Sequence, residues 1–293
     1  MNTKRITVIG MGLIGGSLGL ALKKARGTEV EITGCARRPE VAEKAVECGA
    51  VDKTEAQLEK AVSGADIVIV AIPIMVMKDI FRQIAGHLPP NTIVSDVGST
   101  KAQVMQWAEE YLPSTISFIG GHPMTGKETA GIDEAETDLF KGSAYCLIPS
   151  RNASAGALTV MEELVEWVGA KSVSIEAEPH DELVAGISHL PLILSSTLVS
   201  ALAKSDQWPD MSKLAASGYR DATRLASGDT EIQLGICVTN RQAIAEWIDR
   251  YIEHLKDFRG LILEDDRKLE KALREAREVR ENWLKNEGLR FNK

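Results

Sequence analysis

Residues 8–18, VIGMGLIGGSL, set glycines at positions 10, 12 and 15 directly after a β-branched run and directly before helical spacing. A strand, a tight turn and a helix in immediate succession fit few folds. Gly10 permits the turn, Gly12 lets backbone approach a phosphate, and Gly15 lets helix and strand pack closely. The helix start would aim free N–H groups and a positive dipole end at an anion. Gly10, Gly12, Leu13, Ile14 and Gly15 are therefore expected to cradle a dinucleotide, although an isolated glycine triplet also fits a turn that binds nothing.

The rest of the first half supports the cradle. Runs rich in valine and isoleucine at 5–10, 30–36, 66–72, 92–95, 117–120 and 143–149 read as strands. Helical spacing lies between them at 13–24, 39–48, 75–87 and 101–111, and again at 153–168 before a last short strand near 172–175. Alternation of this kind predicts an α/β fold, a doubly wound and mostly parallel sheet covered on both faces. From about Pro179 onward the periodicity is helical alone, so an all-helical C-terminal domain is expected. The predicted division is 1–175 and 176–293. The final helix, 264–286, spaces Leu269, Leu273, Ala276, Val279 and Trp283 as an apolar stripe for its own domain or for a second subunit.

About 20 residues beyond the glycines, an NAD site usually carries an acid for the ribose 2′-hydroxyl. Here Ala36 stands at that position and Arg37 and Arg38 follow. A missing carboxylate with two guanidiniums suits a 2′-phosphate, so NADP is the expected cofactor and NAD the alternative. Ile72 and Pro73 end another strand, and DVGSTK (96–101) runs from a strand end into a helix; both fall on the carboxyl edge, where ligands of this fold bind.

Five segments, GMGLIGGSL, DVGSTK, GGHPMTGKETAG, SHLP and SGYRDATRLASGD, occur in this order along nearly the whole chain. The combination resembles the prephenate and arogenate dehydrogenases of tyrosine biosynthesis. The resemblance implies a Rossmann-type domain, a helical dimerisation domain, a homodimer, and oxidative decarboxylation of a cyclohexadienol. It also implies that His122 accepts the ring-hydroxyl proton and that Ser99 sits between that histidine and the nicotinamide. By the same resemblance, His189 and Arg224 are expected to line the substrate pocket, Thr125, Lys127 and Glu128 to form the loop bordering it, and Asp221 to orient neighbours rather than touch substrate. A cation on the departing ring carboxylate would favour the ground state, so Arg224 is assigned to the side-chain carboxylate. His122 lies in a glycine-rich stretch that reads locally as a loop; His87, His180 and His254 match no motif and read as structural. Many relatives carry an ACT domain, and regulation through one is not expected here. The TGKE segment departs from the smaller and uncharged residues of many relatives, which leaves prephenate and arogenate open as substrates.

Two other readings compete. A β-hydroxyacid dehydrogenase shares the glycine motif but would use a helical lysine as acid/base and has no need of GGHPM. A non-catalytic NADP-binding sensor could dispense with His122, Ser99 and Arg224 together, yet all three are present.

Charge and composition narrow the partners. A formal charge of −8 without any basic run argues against nucleic acid. The cysteines at 35, 48, 146 and 237 form no C-x-x-C pair, and read as reduced thiols of a cytoplasmic protein, with no metal site. The uncharged stretch 186–203 approaches spanning length, but its histidine, proline and hydroxyls suit a buried or interface helix rather than a membrane.

Overall fold

A computed structural model describes residues 3–264 and 266–286; Asp265, inside the predicted last helix, lies outside the described residues. The chain divides into two compact units, 1–241 and 242–293.

The first unit is built on an eight-stranded sheet. In chain order its first half runs β1 Lys4–Ile9, α1 Leu13–Arg26, β2 Val30–Cys35, α2 Pro39–Glu47, β3 Lys53–Thr54, α3 Leu58–Val62, β4 Ile67–Val70 and α4 Ile74–Ile84. Next come β5 Ile93–Asp96, α5 Ala102–Tyr111, β6 Ser117–Pro123, β7 Ala144–Pro149, α6 Ala155–Trp167 and β8 Lys171–Ser174. The strand order is β3-β2-β1-β4-β5-β6-β7-β8, and every neighbouring pair is parallel except β6 with β7. The order reverses between β1 and β4, which makes the crevice above their carboxyl ends the expected ligand site. This is the mostly parallel, doubly wound sheet that the alternation predicted. Strands such as β4, with all four residues of IVIV buried, are what a sheet covered on both faces requires.

Leu18 and Leu22 of α1 join Met161 and Leu164 of α6 in the core over one face. On the other face Phe81 of α4 meets Phe118 of β6 edge-on, with ring centroids 5.4 Å apart. Two short elements escaped the pattern: β3 has two residues and α3 has five, too few to show a period.

After β8 the unit is helical: α7 Ala177–Val184, a π-helical turn Ala185–His189, α8 Leu190–Ala203, α9 Trp208–Leu214, α10 Ser217–Thr223 and α11 Thr230–Thr239. In the π turn Leu190 N–H reaches Ala185 O, five residues back, and Pro191, which has no N–H to donate, follows directly. The continuous run Ala177–Ala203 is long and apolar enough, by length and composition, to cross a bilayer, and a third of its most apolar window is buried. Leu190, Leu192 and Ser195 point inward, while Leu183, Ile187 and Leu198 are exposed.

Apart from its first residue, α12, Arg241–Glu264, lies in the second unit, as does α13, Asp266–Asn286. On α13, Arg274–Glu270 and Arg277–Glu281 form i,i+4 ion pairs at 2.5 and 2.7 Å, the charged face of an amphipathic helix.

Candidate active site

The glycine turn takes the form its residues require. Gly10 has φ +96°, and a side chain there would meet Ala71 O at 2.2 Å; one at Gly15 would meet Gly10 O at 2.0 Å. Gly12, in contrast, faces open space. Gly12 caps α1 without a side-chain hydrogen bond, and the first turn carries no acid, so its N–H groups are available to an anion. Leu13 and Ile14 open that helix, and the Ile72 side chain lies against Gly10 across the reversal between β1 and β4. Pro73 caps α4 at the same edge. These residues fit a dinucleotide: space and donors lie where the pyrophosphate belongs. Ala36, Arg37 and Arg38 follow β2, both arginines exposed, with Arg38 Nε 3.8 Å from Glu40.

His122 is not on a loop. The structure corrects that expectation: β6 continues through Gly120, Gly121, His122 and Pro123, and His122 pairs with Cys146 of β7. Glycine at 121 is a packing requirement, because a side chain there would meet Asp96 O at 2.3 Å. Asp96 and Lys101, both fully buried, form an ion pair and grip this segment. Gly121 N–H donates to Asp96 Oδ1 at 3.1 Å, and Lys101 Nζ donates to Gly121 O at 2.7 Å. Gly98 N–H donates to Asp96 Oδ2 at 2.7 Å, so the same carboxylate shapes the loop carrying Ser99. Burial pulls the Lys101 ammonium down from its usual range, and Asp96 pulls it back.

The His122 ring is buried and T-shaped to His180, with Nδ1 2.9 Å from His180 Nε2. His180 Nδ1 in turn lies 2.8 Å from Asp181 Oδ1. The carboxylate of Asp181 accepts from the main-chain N–H groups of Lys101 and Ala102, at 2.7 and 2.9 Å, at the start of α5. Thr100 and Thr239 hydroxyls meet at 2.7 Å beside it. These contacts carry α7 and α11 onto the carboxyl edge of β5 and β6.

His189 ends the π turn and is buried. Its Nδ1 lies 3.1 Å from Asn240 Nδ2, and its Nε2 has no hydrogen-bond partner among the described residues. Burial, aided by His180, Lys101 and His189, holds His122 well below the usual imidazole range. Burial lowers His189 to about 4, against the opposing pull of Asp181. Both rings are therefore neutral at neutral pH.

The remaining expected residues form a second group. Glu128 and Arg224 make an ion pair beside an open cleft of ≈ 440 Å³, lined also by Tyr219, Arg220, Thr223 and Ser227. Lys127 Nζ is taken up by Glu136 at 2.6 Å and by Glu134 O at 3.1 Å, and Thr125 Oγ1 donates to Leu139 O. Thr125 and Lys127 thus brace their own loop. Asp221 pairs with Arg220 at 3.1 Å.

Asp96, Lys101, His180, Asp181 and Asn240 were not singled out by the sequence. A signal existed for the first two, which bracket the DVGSTK segment, and for the adjacent His180 and Asp181 in EPHDE.

The prephenate dehydrogenase nucleotide-binding domain matches residues 18–174, and the prephenate dehydrogenase dimerization domain matches 176–275. The chain belongs to the prephenate dehydrogenase family. Prephenate dehydrogenase of Lactococcus lactis is 34% identical over 285 residues, 95% of this chain and 77% of that protein. Among solved structures, Synechocystis arogenate dehydrogenase aligns with TM-score 0.80 and 31% identity over 95% of this chain and 99% of its own. Prephenate dehydrogenase of A. aeolicus, in complex with hydroxyphenyl propionate and NAD+, aligns with TM-score 0.89 and 26% identity over 96% and 99%.

Proposed function

We propose that this chain is a nicotinamide-dependent dehydrogenase that oxidatively decarboxylates prephenate or arogenate, giving 4-hydroxyphenylpyruvate or tyrosine. The observation that carries the reading is His122, a neutral, buried imidazole fixed at the carboxyl end of β6 beside the Ser99 loop. A nicotinamide held in the crevice would supply the hydride acceptor. Gly10, Gly12, Leu13, Ile14 and Gly15 would hold its pyrophosphate, with Ile72 and Pro73 at the edge of the crevice.

His122 takes the proton of the ring hydroxyl as that oxygen becomes a carbonyl, and Ser99 stands between that ring and the nicotinamide position. Loss of carbon dioxide aromatises the ring, which makes the step irreversible. His189 and Arg224 bind substrate, and the side-chain carboxylate competes with Glu128 for Arg224. Thr125 and Lys127 act through the loop they brace.

NADP is the favoured cofactor: the position after β2 lacks an acid, and Arg37 and Arg38 stand exposed beside it. We assign dinucleotide binding to 1–175, and substrate binding and dimerisation to 176–293. A homodimer is supported by the apolar side chains that the helices leave exposed, and a cytoplasmic setting by the four free cysteines.

Initial rates at the reduced-nicotinamide absorbance band, crossing prephenate and arogenate with NADP and NAD, test the reading. Turnover is expected with at least one pair, NADP being preferred. His122→Asn should keep nucleotide binding and lose roughly 10²–10⁴-fold in kcat. No turnover with any pair, in protein shown to bind nucleotide, would favour the sensor; full turnover by His122→Asn would remove that ring from the chemistry.

A further inference from the structure

Hydrogen-bond direction around Asp181 can be followed outward through two chains of contacts. Asp181 Oδ1 already accepts Lys101 N–H, and Oδ2 accepts Ala102 N–H, at a helix start that favours an acceptor. His180 Nδ1, at 2.8 Å from Oδ1, must then supply the hydrogen. A neutral imidazole with its hydrogen on Nδ1 presents a lone pair at Nε2. That lone pair faces His122 Nδ1 at 2.9 Å, so His122 donates from Nδ1 and its Nε2 is left bare.

The second chain starts from the main-chain oxygen of the same residue. Asn240 Nδ2 donates to Asp181 O at 2.8 Å, which fixes the orientation of the amide. The same Nδ2 lies 3.1 Å from His189 Nδ1, which must accept its other hydrogen. His189 therefore carries its own hydrogen on Nε2, the buried atom without a partner among the described residues.

We infer that His180 and Asn240 are positioning residues which, through Asp181, hold His122 and His189 in opposite tautomers. His122 offers a bare Nε2 that accepts the hydroxyl proton; His189 offers an Nε2–H that donates to substrate. The division matters because an imidazole in the wrong tautomer cannot act as base, whatever its position. When His122 accepts the proton it becomes an imidazolium, keeping its Nδ1–H bond to His180 while the new N–H forms at Nε2. No proton has to leave along the chain. The inference deepens the proposed role of His122 and rests on it for its catalytic meaning.

The tautomers are readable without turnover. Full-length protein with 15N-labelled histidine, in long-range proton–nitrogen correlation spectra at neutral pH, should show Nδ1–H for His122 and His180 and Nε2–H for His189. His122 found as Nε2–H in the unmodified protein would overturn the inference. His180→Asn, which removes the acceptor facing His122, should mix the His122 tautomers. It should lower kcat roughly 10–100-fold while leaving KM for the nucleotide unchanged. His180→Gln, whose carbonyl can stand where Nε2 stood, should restore most of kcat and the single tautomer. A His180→Asn protein with unaltered kcat, or a Gln variant as impaired as the Asn one, would sink the positioning role. Full turnover by His122→Asn would remove the base assignment alone, since the spectra still decide the tautomers.

Discussion

His189, buried in the helical run, ties stability to pH. Its folded-state pKa is depressed to about 4, and a histidine in the unfolded chain titrates near 6.5. Below about 6.5 the unfolded chain gains a proton that the folded chain refuses, so the unfolded state binds more protons and stability falls as pH falls. The window runs from about 6.5 down to about 4, and the His189 share of the loss is on the order of 3 kcal/mol. His122 is depressed in the same direction and adds to the slope. Urea denaturation between pH 7.5 and pH 4.5 should show this decline, and His189→Gln should flatten part of it. A curve of unchanged slope in that variant would show that the ring does not titrate as its burial requires. Above about 6.5 both rings are neutral in both states and contribute no further dependence.

Two glycines separate the turn's work from the strand's. At Gly12 no atom of the described residues would meet an added methyl, whereas at Gly121 the methyl would strike Asp96 O. Gly12→Ala should therefore leave the melting temperature nearly unchanged and weaken dinucleotide binding. Gly121→Ala should cost roughly 1–3 kcal/mol of stability, read as a lowered melting temperature. The reverse pattern would show that the crevice above β1 and β4 is not the cofactor site. The same contrast explains what could be read from the chain alone. The β1–α1 turn is a local affair: β-branched residues, three spaced glycines and helical spacing lie within one short segment. The end of β6 is not local, because Gly-Gly-His-Pro becomes strand only through pairing with β7 and through the Asp96–Lys101 grip. His180 gave no periodic signal, and its role exists only once α7 is laid on the start of α5. The fold class was legible because valine and isoleucine alternate with helical spacing; the His122–His180 contact was not, because it joins residues 58 positions apart.

At the scale of the whole molecule, part of the apolar stripe of α13 is exposed, with Leu273 56% and Val279 70% accessible. A homodimer would cover such a surface at a gain of roughly 1.5–3 kcal/mol per fully buried side chain. Sedimentation velocity should show a dimer that weakens at least about tenfold when Leu273 and Val279 are both replaced by glutamate. A monomer in the unmodified protein would overturn the homodimer, and an unaffected dimer in the variant would move the interface elsewhere. The hydrogen-bond network around Asp181 bears on heredity as well as on chemistry. The nucleotide-binding family ends at residue 174, yet His180, Asp181 and Asn240 lie beyond it, inside the compact unit that closes at 241. A recombinant gene that inherited only the nucleotide-binding half would acquire His122 without the residues that set its tautomer. For this lineage the smallest transferable parcel of working chemistry is longer than the parcel that holds the cofactor.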